Sequence, residues 1–158
     1  MAGDGSVFDE VAAILPSMLP AELGPVRLLA RRYGIKVWFG DAAKPDRLHY
    51  EAQIIGAADV PGATTLGIEI GFHAEQTKEA DNEAELARLV GKEKQWRKVV
   101  GKEPECGVFL GRATHWRRVS ETWADPDLGE PGLAVELAAR LADYVTALEP
   151  VRRAGGRR

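Results

Sequence analysis

Two stretches of the chain alternate apolar and polar residues with a period of two, and this pattern constrains the fold more than any other feature. In "RLHYEAQIIG" at 47–56 the even-numbered residues from Leu48 to Ile54 are apolar, and in "LGIEIGFHAE" at 66–75 those from Leu66 to Ala74 are. Such alternation is typical of β-strands that bury one face. The intervening "GAADVPGAT" contains the Asp, Pro and Gly of a hairpin loop. The pattern predicts two neighbouring antiparallel strands.

Helical periodicity flanks these strands on both sides. A first helix is expected near Val7 after a Ser6 cap, a long one between Asn82 and Gly101, and a last one from Pro131 to the "EP" at 149–150. Further strands are predicted at 35–39, in "GVFLG" and in "WRRVSETW". Residues 21–34 fit a helix or a strand equally well, so their conformation stays open.

The order of these elements predicts an α+β fold arranged as α-βββ-α-ββ-α. We expect two layers, with a mainly antiparallel sheet of about four to five strands and amphipathic helices packed on one face. The other face is expected to be open and polar. Residues 1–150 are expected to form a single domain, and the basic residues 151–158, "VRRAGGRR", a disordered C-terminal tail.

Composition excludes several classes of protein. No window approaches the ~18 apolar residues of a membrane span, and the acidic start "MAGDGSVFDE" is unlike a secretory signal, so we expect a cytoplasmic protein with no membrane partner. A single cysteine, Cys106, agrees with a reducing compartment. The net charge of −3 disfavours nucleic acid as a partner. Abundant Arg and Ala favour a bacterial source.

The polar face of the two alternating strands is the candidate site. Two antiparallel registers remain open: one sets His49 opposite His73 and Gln53 opposite Glu69, and the other sets Glu51 opposite His73. Either register crowds imidazoles and carboxylates into one patch, which favours a solvated sheet face or a divalent metal site. The candidate patch comprises His49, Glu51, Gln53, Glu69, His73 and Glu75.

A later strand extends this candidate patch. Alternation in "THWRRVSETW" puts Trp116, Arg118 and Ser120 on one face, where they join the patch if this strand belongs to the same sheet. The chain has no phosphate-binding Gly-rich loop after a strand and no Gly-x-Ser-x-Gly elbow, so no cofactor and no serine hydrolase chemistry are indicated.

The stretch "KPDRLHYEAQ", with Pro45-Asp46 ahead of Glu51-x-Gln53, resembles the core of restriction-endonuclease-like nucleases over roughly residues 7–111. The resemblance implies carboxylates that hold magnesium on successive strands and a lysine that handles the attacking water. This sequence departs from that pattern, because Asp46 and Glu51 are too close for successive strands and Gln53 or Gly71 stands where the lysine belongs.

Two hypotheses of function follow from the sequence. The first is a non-catalytic module, homodimeric or binding a protein or small ligand through the open polar face of its sheet, because no complete catalytic motif is present. The second is a metal-dependent enzyme that uses the His/Glu patch, including a degenerate nuclease of the kind just described.

Overall fold

The computed structural model describes residues 6–156, which form six strands and four α-helices. In chain order the elements are α1 (Val7–Ile14), β1 (Val26–Arg31), β2 (Gly34–Phe39), β3 (Leu48–Gly56), β4 (Leu66–Ala74), α2 (Glu79–Val90), α3 (Glu93–Val100), β5 (Glu105–Val108), β6 (Arg117–Ala124) and α4 (Leu133–Gly156). Short 3₁₀ turns occupy Leu15–Met18, Ala21–Leu23 and Ala57–Asp59. Within residues 6–156, no helix has the length and apolar character needed to cross a membrane.

All strands pair antiparallel in the order β1-β2-β3-β4-β6-β5, which confirms the α+β class and the antiparallel sheet. The sheet has one strand more than expected because Val26–Arg31, within the segment left open by the sequence, is a strand. It forms a hairpin with β2 that turns at Arg32 and Tyr33. The carbonyl of Tyr33 accepts a bond from the amide of Ile54 at 2.8 Å, which ties this turn to β3.

The expected long helix is two helices, and this corrects the prediction for residues 82–101. The chain leaves helical geometry at Lys92, where φ is −117° and ψ is 22°, and Gly101 then ends α3 with a positive φ of 84°. Asn82 is not the N-cap but a buried residue inside α2. Its side-chain amide bonds the backbone of Gln76 and the carbonyl of His115, so it anchors the loops instead of capping the helix.

One face of the sheet packs against the helices and forms the hydrophobic core. The even-numbered residues of β3 and β4, such as Tyr50 and Ile70, meet apolar side chains of α4, such as Leu141 and Leu148. Ser6 caps α1 as expected, because its hydroxyl accepts a bond from the amide of Asp9 at 3.4 Å. The alternation read from the sequence therefore identifies the core face correctly.

The last helix runs through Pro150, where the sequence predicted its end. Proline removes one backbone donor, but Arg152 donates to the Glu149 carboxylate at 2.8 Å and fixes the following turn. Residues 151–156 of the expected disordered tail are consequently helical. Residues 157 and 158 of that tail lie outside the described residues.

The second face of the sheet was expected to be open and wet, and the structure corrects this expectation. Three connections fold over it, at residues 40–46, 57–65 and 109–116. The indole of Trp38 donates to the carbonyl of Ala42 at 2.9 Å, Val60 fills the space beside Gly67, and Phe109 lies edge-on to His73 with ring centroids 4.6 Å apart. Burial under loops could not be predicted from the sequence, because alternation identifies the two faces of a strand but not what covers each face.

Candidate metal centre

Strands β3 and β4 bring the candidate residues together in the first of the two registers. His49 stands opposite His73 and Gln53 opposite Glu69, while Glu51 stands opposite Gly71. Since Gly71 has no side chain, the Glu51 carboxylate meets no opposing group and lies between the two imidazoles. His49 is 1% exposed, His73 is 0% exposed and Glu69 is 1% exposed, so this is an interior cluster.

Four side chains of this cluster each direct one nitrogen or oxygen to a common point. Oε1 of Glu51 lies 2.9 Å from Nε2 of His49 and 3.0 Å from Nδ1 of His73. Oε2 of Glu75 lies 3.1 Å from Nδ1 of His73 and 3.4 Å from Nε2 of His49. All four atoms lie within 4.8 Å of one another. Ligands at ~2.0–2.2 Å from one ion are about 3.0–3.4 Å apart along the edges of an octahedron or tetrahedron, so these spacings fit a shared metal.

Hydrogen bonds on the outer side of each imidazole direct its other ring nitrogen to this point. A carbonyl oxygen can only accept, so Nδ1 of His49 donates to the carbonyl of Asp46 at 2.6 Å. Nε2 of His73 donates to the Glu69 carboxylate at 2.7 Å, and the amide of Gln53 donates to the other Glu69 oxygen at 2.8 Å. Metal-binding histidines have such partners, which fix the tautomer and orient the ring.

The electrostatics of the cluster demand positive charge at its centre. Burial alone would lower the pKa of His73, but the carboxylates of Glu69, Glu51 and Glu75 raise it well above the ordinary value, and that of His49 is raised by Glu51 and Glu75. Burial would raise the pKa of Glu75, but the two imidazoles lower it to about 2, and they lower that of Glu51 further. Two protons on the imidazoles or one divalent cation supply the same charge.

The cluster is reached from outside through a cavity of about 710 Å³. The carboxylates of Glu51 and Glu75 lie on its floor, while the histidines lie behind them. One wall comes from the β1–β2 hairpin, and the opposite wall comes from Arg112 and Trp116 of the segment 109–116. A metal at the cluster would therefore be buried on its histidine side and accessible on its carboxylate side.

The residues of the extended patch are close by; Arg118 and Ser120 have structural roles, while Trp116 also lines the cavity. Arg118 stands opposite His73 on β6, and its guanidinium bonds the hydroxyl of Ser120 at 2.9 Å and the carboxylate of Glu105 at 2.8 Å. Trp116 packs edge-on against Phe109, with ring centroids 5.2 Å apart. These residues secure the β5–β6 edge and the loop that covers the cluster.

The nuclease-like stretch contributes differently from what its resemblance implies. The carboxylate of Asp46 accepts a bond from the amide of Leu48 at 3.3 Å, and only its carbonyl reaches the cluster, through His49. Gln53, which stands where a lysine is expected, donates to Glu69. The carboxylates that converge are those of Glu51, Glu69 and Glu75.

Sequence reasoning missed the residues that line the approach to the cluster. Lys36 lies opposite Glu51 on the neighbouring strand, and this placement could be known only from the register between β2 and β3. The predicted strand "GVFLG" includes Phe109, but β5 ends at Val108, so Phe109 and Arg112 lie in the connection that covers the sheet. The only available signal was the aromatic and basic composition of residues 109–118.

Comparison with models of known protein families gives no match to this chain, and neither do comparisons with curated proteins and with solved structures.

Proposed function

We propose that this protein binds one divalent transition-metal ion through His49, Glu51, His73 and Glu75 and acts as a metal-dependent domain. The observation that carries the proposal is the convergence of four donor atoms at ligand-to-ligand spacing, within 4.8 Å of one another and buried. The outer hydrogen bonds to Asp46 and Glu69 add support, because an ordinary buried ion pair does not require a defined imidazole tautomer.

The donor set restricts the metal. Two imidazole nitrogens and two carboxylate oxygens favour Zn²⁺, Fe²⁺, Mn²⁺, Co²⁺ or Ni²⁺ over the harder Mg²⁺ and Ca²⁺, which prefer oxygen alone. The sole cysteine, Cys106, stands on β5 opposite Val119 and is not part of the set. A coordination position that faces the cavity would accept water or a ligand, which a Lewis-acidic metal polarises or activates.

Metal analysis of the purified, tag-free protein tests the proposal. We expect about one ion per chain in the wild type and in His115→Ala, which removes the histidine outside the cluster, but not in His73→Ala. Glu51→Gln, which changes one ligand with almost no change in shape, should also lose the ion. His73 is fully buried and His115 only half-buried, so the near-isosteric Glu51→Gln decides the comparison if His73→Ala fails to fold.

Thermal unfolding with and without added metal provides an independent measurement. An ion at a hundred times its dissociation constant stabilises the folded state by ~2.7 kcal/mol, which corresponds to a rise in Tm of roughly 5–11 °C for a domain of this size. Glu51→Gln should abolish that rise. If the cluster were only a histidinium–carboxylate network, chelator and metal would leave the wild-type Tm unchanged, and Glu51→Gln would cost ~3–5 kcal/mol without any ion.

The first hypothesis from the sequence, a non-catalytic binding module, differs from this proposal in where binding occurs. It placed the binding surface on an open polar face, whereas the polar residues are buried around the proposed ion. A homodimeric state, a cytoplasmic location and a bacterial source stay predictions from the sequence.

A further inference from the structure

Four basic side chains line the cavity above the proposed metal centre without an acidic partner. Arg31, Arg32, Lys36 and Arg112 border it, and none forms an ion pair with a carboxylate of residues 6–156. Elsewhere in the fold the buried arginines are paired, as Arg118 is with Glu105 at 2.8 Å. Arg31, Arg32 and Arg112 are exposed and Lys36 is half-buried, so their charges are solvated, and cations grouped at the rim of a concavity attract an anion to it.

These cations approach the cavity from both sides. Lys36 lies on β2 opposite Glu51, next to the metal ligands, and Arg31 lies at the end of β1. Arg112 comes from the covering segment, with its guanidinium 5.9 Å from the ring centre of Phe109 and 6.0 Å from that of Trp116. A ligand between the two walls would therefore be within the field of both sets of cations.

Apart from Glu51, Glu75 and Gln53, the rest of the cavity lining is apolar or aromatic. Leu29, Tyr33, Ile54 and Trp116 contribute to it, and Tyr33 leaves 61% of its surface exposed. A volume of about 710 Å³ is in the range of small-molecule sites. Four cations beside apolar and aromatic groups favour a ligand that has an apolar body and one anionic end.

We propose that the cavity binds a small organic anion whose acid group takes the open position on the metal and contacts Lys36 and Arg112. This inference rests on the proposed metal-dependent function, because the ion supplies the positive charge that offsets Glu51 and Glu75 on the floor. The body of the ligand packs against Tyr33 and Trp116. The acid group is a carboxylate or a phosphate, since guanidinium, ammonium and metal bind both.

Titrations of the Co²⁺-loaded protein test this inference. Benzoate and benzamide have the same shape and differ in charge, and phenyl phosphate separates the two acid groups. We expect benzoate or phenyl phosphate to change the visible absorption of bound Co²⁺ and to bind at least about tenfold more tightly than benzamide. Whichever of benzoate and phenyl phosphate binds more tightly identifies the acid group.

Variants then locate the anion. Lys36→Met and Arg112→Gln should each weaken binding of the tighter anion by about tenfold while Co²⁺ affinity stays the same. Arg27→Gln is the matched control, because Arg27 lies on the same strand as Arg31 but bonds the carbonyl of Gly40 at 3.0 Å and does not line the cavity. It should leave anion binding unchanged.

Each outcome is decisive for one of the two proposals. A protein that binds no Co²⁺ would overturn the proposed function and this inference with it. A protein that binds Co²⁺ but takes up neither anion more tightly than benzamide would overturn this inference alone. Anion binding that Lys36→Met and Arg112→Gln leave intact would also overturn it, because the anion would then lie elsewhere.

Discussion

The bond between His73 and Glu69 offers a sharp test of the metal centre, because Glu69 is not one of the four metal ligands. Its carboxylate accepts the Nε2–H of His73 at 2.7 Å and leaves the opposite nitrogen, Nδ1, directed at the site. Glu69→Gln keeps the shape and one acceptor oxygen but removes the charge. Gln53, which donates to the other Glu69 oxygen at 2.8 Å, must then turn its amide to avoid facing a second donor.

The expected loss follows from the strength of that hydrogen bond. A hydrogen bond to a charged acceptor contributes ~1.5–3 kcal/mol and a neutral one roughly half as much, so replacing Glu69 by Gln should cost ~1–1.5 kcal/mol of metal binding. That is about a tenfold rise in the dissociation constant. Glu69→Leu leaves His73 without an acceptor, so the dissociation constant of the metal should rise by nearly a hundredfold. This is the upper range for outer partners of metal-binding histidines.

Competition titration of Zn²⁺ against a chromophoric chelator measures these dissociation constants. The control is Glu121→Gln, which alters a buried carboxylate on the opposite face of the same sheet, where it accepts from Tyr144 at 2.6 Å. This variant should lose stability but keep its Zn²⁺ affinity. Equal affinity in Glu69→Leu and the wild type, or an equal loss in Glu121→Gln, would refute the role assigned to Glu69.

Further predictions concern the frame around the site. Gly71→Ala should severely destabilise the fold and abolish metal binding, since a Cβ at that position would lie 2.2 Å from the carbonyl oxygen of Val119; chemical denaturation measures this. Tyr50→Phe removes the bond from its hydroxyl to Glu149 at 2.8 Å and should cost ~1–3 kcal/mol in the same assay, with metal affinity unchanged. Asp125→Asn should lower Tm at neutral pH, because backbone amides and hydroxyls of residues 64–66 hold the Asp125 pKa well below its usual range. A carboxyl whose pKa is lowered by folding stabilises the protein at pH values above its pKa in the unfolded chain, and this stabilisation is lost as the pH falls. The difference in Tm between wild type and Asp125→Asn should therefore shrink below pH ~4. A difference that persists in acid would contradict that reasoning.

The fold class was predictable because it depends on local patterns that repeat. The even-numbered residues of β3 and β4 are apolar and face the helices, so alternation in residues 47–75 sufficed to identify the core face, although both faces of these strands are buried. The segment 26–31 was not predictable, because "VRLLA" satisfies both periods and only pairing with β2 decides between them. The break at Gly91 was missed because the apolar stripe continues through it into α3.

The sequence by itself determined which side chains share the polar face of the β3–β4 hairpin, because a strand alternates its side chains whatever surrounds it. It narrowed the pairing to two registers, one of which sets His49 opposite His73. Only the tertiary structure decided which register forms, that loops from distant parts of the chain bury this face, and that Lys36 of β2 and Arg112 of a covering loop line its entrance. Burial and convergence depend on contacts between residues far apart in the chain, and local periodicity contains no information about those contacts.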